Sequence, residues 1–279
     1  MAAVTTSAAP AGLPAASGRA GLAGVVRSEL TKLRSVRSTY WTILALVVVG
    51  IGLGALITGL TAGHWSQMSA SDQATFDATQ ESLGGLFFFG QLVMVVLGAL
   101  VITSEYSTGM IRTSLIVMPR RPVVYAAKTL VFAVVALVVS LVTSLIAFFL
   151  GQALLSSTHH NATLSDPNVL RAIIGASVYV TLCGLMAFAV GSLLRHTAGT
   201  ITAVIGLLFV LPIIISLLPS SVHNAILRWL PSSAGSAIST TVGSQGAHLF
   251  AGWGEIFVLC AYVIVLLAIG GFLFKTRDA

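Results

Sequence analysis

Six long runs without a single charged residue constrain this chain more than any other feature of its sequence. The runs cover residues 41–60, 83–103, 130–150, 172–194, 198–218 and 256–274. Each has about the 20 residues that a helix needs to cross a hydrocarbon core about 30 Å thick. Only 8% of all residues are charged, against about 25% in an ordinary soluble domain. The sequence therefore predicts an all-α polytopic membrane protein with six transmembrane helices.

Basic residues beside these runs indicate how the chain is oriented. Cytoplasmic loops of membrane proteins carry an excess of Lys and Arg. If the N-terminus is cytoplasmic, 12 of the 14 Lys and Arg residues are cytoplasmic and only Arg171 and Arg228 are external. This assignment requires a tight cytoplasmic turn at residues 195–197. We predict a multi-pass membrane protein with both termini in the cytoplasm, and no nucleic-acid partner, because the basic clusters follow the spans.

The segment before the first span, residues 22–40, has apolar residues at helical spacing, with basic residues between them. This pattern is typical of a helix lying in the membrane interface, with its apolar side in lipid. A simple basic flank is the alternative. Residues 1–21 are predicted to be a disordered cytoplasmic tail, and residues 41–279 the six-span domain. Membrane lipids are thus expected partners, and the predicted interface anchors are Arg27, Lys32, Arg34, Arg37, Trp41, Arg120, Arg121 and Lys128.

The cytoplasmic segment between spans two and three, residues 104–128, is too long for a simple turn and contains several apolar residues. Such a segment suits a short helix that docks into a groove on another protein. Glu105 and Arg112 share a face if the helix is continuous. The alternative is a connecting loop with solvated interfacial charges. The candidate docking residues are Glu105, Gly109, Met110, Ile111, Arg112 and Leu115.

An external segment, residues 219–254, alternates short apolar pieces with Ser, Gly and Thr. It is too apolar for a fully solvated loop, so short helices dipping back toward the membrane are expected. Backbone at that depth must be covered by protein or line a cavity. A plain extracellular loop is the alternative.

Catalytic and metal-binding motifs are missing from the sequence. It contains no P-loop, no H-E-x-x-H, no G-x-S-x-G and no C-x-x-C. His159, His160 and Asp166 are close in sequence but are fewer than the four ligands of a structural metal site. Gln91 is the most polar side chain deep in a run, and a structural role is favoured for it. We expect no catalytic residue, metal or cofactor in this chain, so any energy source must belong to a partner.

Two stretches, ELTKLRSVRSTYW and EYSTGMIRTSLIVMPRRPVVYAAK, resemble membrane permease subunits of the ABC-2 family, bacterial ABC exporters whose ATP is hydrolysed by a separate subunit. The resemblance implies a connecting helix at 25–38, a coupling helix at 105–117 and an external re-entrant segment at 219–254. It also implies two permease copies, or a copy and a paralogue, above two ABC ATPase subunits that hold ATP and Mg. The resemblance further implies a location in the bacterial plasma membrane, and the Ala- and Gly-rich composition with the long polar N-terminal tail indicates an actinobacterial origin.

The function that the resemblance implies is outward, ATP-driven movement of a lipophilic or amphipathic substrate. Two alternatives stay open from the residues alone. A membrane-embedded lipid or quinone enzyme would need a polar cluster at one membrane face, and an immunity or sensor protein would bind a membrane-active peptide without moving it. The sequence does not identify substrate-binding residues.

Overall fold

The computed structural model describes residues 22–111, 120–227, 229–241 and 253–276, and all regular structure in these ranges is helical. Two π-helical turns, Gly85–Gly90 and Gly206–Val210, interrupt helices, and 3-10 turns lie at Trp65–Gln67 and Ser156–Thr158. The α-helices are α1 (Leu22–Ser35), α2 (Arg37–His64), α3 (Ala70–Ala74), α4 (Ala78–Gly84), α5 (Gln91–Ser107), α6 (Arg121–Leu155), α7 (Val169–Leu194), α8 (Thr197–Ile205), α9 (Leu211–Ser216), α10 (Ser220–Leu227), α11 (Pro231–Ser239) and α12 (Trp253–Thr276).

In the described part of the chain, six helical segments are long and apolar enough to cross a membrane, which confirms the predicted architecture. They are Arg37–Gln67, Ala78–Ser107, Arg121–Thr158, Val169–Leu194, Thr197–Ser216 and Ile256–Thr276, and we number them as spans one to six. The predicted tight turn between spans four and five is also present. Arg195 adopts a left-handed backbone with φ 54°, and His196 Nδ1 accepts a hydrogen bond of 3.1 Å from the Gly199 N–H.

Helix α7 forms the centre of the bundle, with 83% of the residues in its most apolar stretch buried. It packs against α5, α6, α8, α11 and α12. The contact with α5 depends on two glycines, because a Cβ at Gly98 would lie 2.1 Å from the Gly184 carbonyl oxygen. Small residues allow membrane helices to approach this closely. Gly98 thus has a packing role at this helix contact.

Gln91 lies in this bundle core and has a structural partner. Its Oε1 accepts a hydrogen bond of 2.8 Å from the Tyr179 hydroxyl, and both side chains are buried. Phe87 stacks on the Tyr179 ring at a centroid distance of 5.0 Å. The amide oxygen is therefore paired within the bundle, as a buried polar atom in an apolar medium must be.

The predicted external segment contains two short helices, α10 and α11, and is not a plain loop over its described part. Helix α11 is mostly buried, and its Gly235 packs on the Phe87 and Tyr179 rings. Tyr179 lies about 15 Å along the axis of α7 from the first residue of that helix, so α11 contacts α7 well inside the bundle. The end of α11 is fastened to the rest of the bundle, since Arg171 Nη2 donates to the Thr240 carbonyl oxygen at 2.7 Å.

Two predicted boundaries are wrong. Helix α1 ends at Ser35, Val36 is extended, and Arg37 begins α2, so residues 37–40 belong to the first span and not to the connecting helix. No continuous helix starts at Glu105 and runs on through 117, because α5 ends at Ser107 and Gly109 has φ 68°. The predicted tail, residues 1–21, lies outside the described residues.

Candidate functional site

Four charged side chains meet where α1, α5 and α6 come together at one end of the bundle. We call Glu29, Lys32, Glu105 and Lys128 the charge cluster. Lys128 Nζ lies 2.5 Å from Glu29 Oε2 and 2.5 Å from Glu105 Oε1. Lys32 Nζ lies 2.7 Å from Glu29 Oε1 and 3.6 Å from Glu105 Oε1. Two carboxylates thus face two ammonium groups, and their formal charges sum to zero.

The cluster is buried. Glu29 is 3% exposed, Lys128 4% and Glu105 7%. A buried charge without a partner costs several kcal/mol, so each of these groups depends on the others. Because the three residues belong to three different helices, the pairing fastens α1 to the ends of α5 and α6.

The spacing along α1 explains why this helix turns an ionic face to the bundle. Val25, Glu29 and Lys32 follow one another at intervals of four and three residues, which places them on one helical face. Val25 and Glu29 are buried, whereas Arg27 and Arg34 are exposed on the other side. The face predicted to rest in lipid therefore packs partly on protein, and Leu33 contacts the main core.

Glu29 was missed by the sequence reasoning. The signal was present, because it is an acid in an otherwise basic segment and stands three residues before Lys32. A pair at this spacing on a helix indicates an ion pair. The sequence alone did not indicate that the pair is completed by Lys128, which is 99 residues away from Glu29.

The candidate docking residues have different environments. Glu105 belongs to the charge cluster, and the chain bends at Gly109, which has a positive φ. Met110 is 41% exposed, whereas Ile111 is 3% exposed and packs in the main core. The prediction that Ile111 presents its side chain to a partner is therefore wrong. Arg112 and Leu115 lie outside the described residues.

The predicted interface anchors also divide into two groups. Arg27, Arg34, Arg37 and Arg120 are exposed, Arg121 is half-buried, and Trp41 is 70% exposed. Lys128 differs, because its ammonium is enclosed between two carboxylates and cannot reach lipid head groups. The structure thus corrects the anchoring role predicted for Lys128. Lys32 joins the same cluster with its side chain 25% exposed.

A second contact joins this end of α5 to the turn between spans four and five. The Arg195 guanidinium lies 4.9 Å from the centre of the Tyr106 ring, a geometry typical of a cation–π interaction. One turn earlier, the Thr103 and Thr197 hydroxyls are 2.7 Å apart. The end of α5 is thus attached both to α1, through the charge cluster, and to the beginning of span five.

A cleft lies beside the charge cluster, between α1, the start of α2, α5 and α6, and we call it the α1 cleft. Its cavity volume is about 50 Å³. The charge cluster forms one end, and the walls are mainly apolar, with hydroxyls from α2 and α5. The lining residues are Glu29, Lys32, Leu33, Val36, Ser38, Thr39, Thr42, Leu97, Leu100, Val101, Ser104, Glu105, Met110, Lys128 and Val131.

Metal ligands do not come together in the described part of the chain, where no three His, Cys, Asp or Glu side chains form a group that could hold an ion. His160 instead stacks on Trp65, with ring centroids 4.2 Å apart. Its Nδ1 lies 2.6 Å from the Thr158 carbonyl oxygen. These contacts give the histidine a local structural role.

Comparison with protein families identifies the family of this chain. A family model described as ABC-2 family transporter protein matches residues 25–217, which is more than half of the 279-residue chain. The match includes nearly all of α1, the charge cluster and the first five spans. No curated protein matches the chain.

Proposed function

Because the chain belongs to the ABC-2 family of transporter membrane proteins, we propose that it moves a lipophilic or amphipathic substrate outward, with energy from ATP hydrolysed by a separate ABC ATPase subunit. Membership of this family makes it a transporter membrane subunit rather than an enzyme, and a multi-pass membrane protein. The absence of a P-loop from the sequence favours hydrolysis by a partner. The uncharged apolar runs favour a lipophilic cargo.

The observation that carries the proposed coupling mechanism is the position of Lys128 between Glu29 and Glu105. Glu105 is in the last turn of α5, and the chain bends at Gly109 just beyond it. A force applied to the segment after α5 would therefore be transmitted through buried ion pairs to α1 and α6 together. A buried ion pair resists separation, because each charge would then be buried without a partner.

The ATPase is proposed to dock on the segment that begins at Gly109, with Met110 as its exposed apolar contact. Flexible methionine side chains suit binding surfaces of this kind. In this arrangement the charge cluster, the α1 N-terminus and both chain termini face the cytoplasm. The excess of Lys and Arg at that end supports the orientation.

A second permease copy or a close paralogue is proposed to cover part of the remaining apolar surface. Spans one, five and six each have only 22% of their most apolar stretch buried within this chain. Such faces are covered by lipid or by another membrane helix. Two permeases with two ATPases would form the complete transporter.

A co-purification experiment tests the docking surface. The tagged chain is expressed with its P-loop ATPase, and the ATPase recovered after detergent extraction is quantified. Met110→Asp is expected to reduce recovery at least about tenfold, because a charge would be placed in an apolar contact. Leu194→Asp is the matched control, since Leu194 is an exposed apolar residue at the same end of the bundle, 50% exposed, and recovery should not change.

Transport itself is tested in inside-out vesicles that contain the complete complex. ATP-dependent uptake of a fluorescent cationic or neutral amphiphile is expected, and it should stop when the ATPase Walker lysine is replaced. Undiminished ATPase recovery with Met110→Asp would show that docking occurs elsewhere. Uptake that does not depend on ATP would contradict the proposed energy source.

A further inference from the structure

We propose that the external part of span five switches between two helical registers about the π-helical turn Gly206–Val210, and that this switch is part of the transport cycle. The switch serves the transport function proposed above and rests on it. It gives a conformational role to a backbone feature that neither the charge cluster nor the docking surface explains.

Two π-helical turns interrupt spans in the described part of the chain, and packing explains only the first of them. A π-helical turn holds about one residue more than the α-helical turn that it replaces, and such turns are frequent at functional sites. In span two the turn Gly85–Gly90 is enclosed, because a Cβ at Gly85 would overlap the backbone of Gly54 in span one. Close contact between the two spans thus holds this turn in place.

The turn in span five lies in a much more open environment. Among its five residues, all within the described structure, only Leu208 is buried. A Cβ at Gly206 would meet no atom of the described residues within 4 Å. The groove beside the turn has a cavity volume of about 700 Å³, and the residues that line it belong to span five. Pro212, just beyond the turn, has no N–H for a helical hydrogen bond. Neighbouring helices therefore leave room for a change of register here.

The two halves of span five are held to the bundle to different degrees. Below the turn, Thr200 and Val204 of α8 are buried, and the Thr197 hydroxyl lies 2.7 Å from the Thr103 hydroxyl of α5. Above the turn, Ile215 is the one residue of α9 that is buried against the described structure. The cytoplasmic half is therefore fixed, whereas the external half depends on one apolar contact.

A change of register by one residue would bring an identical side chain to this contact. Taking the extra residue of the turn into regular α-helix would rotate α9 by about 100° and shift it by about 1.5 Å, so each residue would take the present place of the next one. Ile215 is now 4% exposed and Ile214 54% exposed. After the change, Ile214 would be buried in place of Ile215. The buried apolar surface is thus nearly the same in both registers, which allows both to be populated.

Cysteine labelling of the purified full-length chain in detergent, without the ATPase, measures the switch. Cys260→Ala removes the natural cysteine that is partly exposed, whereas Cys183 is buried and is kept. Ile215→Cys and Ile214→Cys are then introduced separately. Each register exposes one of these two positions, so N-ethylmaleimide should label them at rates within about tenfold of each other. A larger difference would show that one register prevails, and it would overturn the proposal.

Deletion of one residue fixes the present register. Val210 is 50% exposed, and its deletion should leave a regular α-helix with α9 in its present place. Ile215→Cys should then be labelled at least about tenfold more slowly. Deletion of Val48, which is 59% exposed in the regular helix α2, is the control and should prevent folding, because it rotates the rest of span one by about 100°. If deletion of Val210 prevents folding as well, the turn is a packing element and the proposal is wrong.

Two adjacent isoleucines give a matched pair of variants for the transport assay. Ile213 and Ile214 are 63% and 54% exposed, but only Ile214 is buried in the second register. Truncation of a buried isoleucine lowers the population of that register strongly, so Ile214→Ala should reduce ATP-dependent uptake into inside-out vesicles at least about tenfold. Ile213→Ala should change uptake by less than about twofold, and both variants should retain the ATPase.

The two assays separate the switch from the proposed export function. Equal uptake by Ile213→Ala and Ile214→Ala would show that transport does not use the second register, and it would overturn the proposal. If the unmodified complex shows no ATP-dependent uptake, the export function is wrong. The labelling ratio of Ile214→Cys to Ile215→Cys still decides whether α9 changes register in that case, because it needs neither ATP nor a transported molecule.

Discussion

Replacement of Lys128 by Met tests whether the charge cluster holds α1 on the bundle. The change removes the ammonium that lies 2.5 Å from both Glu29 Oε2 and Glu105 Oε1. Loss of one member of a buried ion pair costs about 3–5 kcal/mol, because its partner stays buried without compensation. Lys32 remains 2.7 Å from Glu29 Oε1, so the lower end of that range, about 3 kcal/mol, is expected.

Trypsin cleavage within α1 measures this loss directly. The side chains of Arg27 and Arg34 are exposed. The peptide bonds after them are protected from trypsin by the helix until α1 opens locally. When opening and closing are fast, the cleavage rate follows the population of the open form. A cost of about 3 kcal/mol therefore corresponds to cleavage about 150-fold faster in Lys128→Met. Arg120→Met, an exposed change at the start of the same helix as Lys128, should alter the rate by less than about threefold.

A double variant separates charge balance from other effects of the substitution. Glu29→Gln combined with Lys128→Met leaves Glu105 facing Lys32 at 3.6 Å, so the site is neutral again. The double variant should recover about 1 kcal/mol or more of the free energy of α1 opening that is lost in Lys128→Met. The effects of substitutions at residues in contact do not simply add. An α1 cleavage rate in Lys128→Met within threefold of the unmodified chain would refute the reasoning. Equal rates in the single and double variants would refute the role of charge balance.

Two further substitutions test the bundle core by thermal unfolding in detergent. Gly98→Ala places a Cβ 2.1 Å from the Gly184 carbonyl oxygen, so it should force α5 and α7 apart and destabilise the fold by about 1–3 kcal/mol. An unchanged melting temperature would contradict the close contact. Tyr179→Phe removes the 2.8 Å hydrogen bond to buried Gln91 and should cost about 1–3 kcal/mol. Tyr125→Phe is its control, because that hydroxyl makes only a 3.4 Å contact, and a larger loss there would contradict the assignment.

The attachment of α1 explains how the predicted coupling segment is connected to the membrane bundle. Glu105 belongs to the second span and at the same time holds Lys128 of the third span. The bend at Gly109 then separates this rigid anchor from Met110, which is exposed. The docking surface proposed at Met110 would therefore lie next to a buried ionic anchor, through which force can be passed on, since interiors at native packing transmit strain.

The number of spans, their approximate limits and the turn between spans four and five were all predictable from the sequence. These features depend on local properties, because a run of about 20 apolar residues crosses the bilayer whatever its neighbours are. The family resemblance was also visible in two short motifs, and the family match confirms it.

The environments of individual charged and apolar side chains were decided only by the tertiary structure. Lys128 and Arg120 look equivalent in the sequence, yet one is buried between carboxylates and the other is exposed. Met110 and Ile111 are adjacent and similar in hydrophobicity, yet only Met110 faces outward. A charge can be buried only where a partner is brought to it, and the partner of Lys128 on α1 is 99 residues away. Pairing over that distance depends on how three helices pack, which local pattern does not encode.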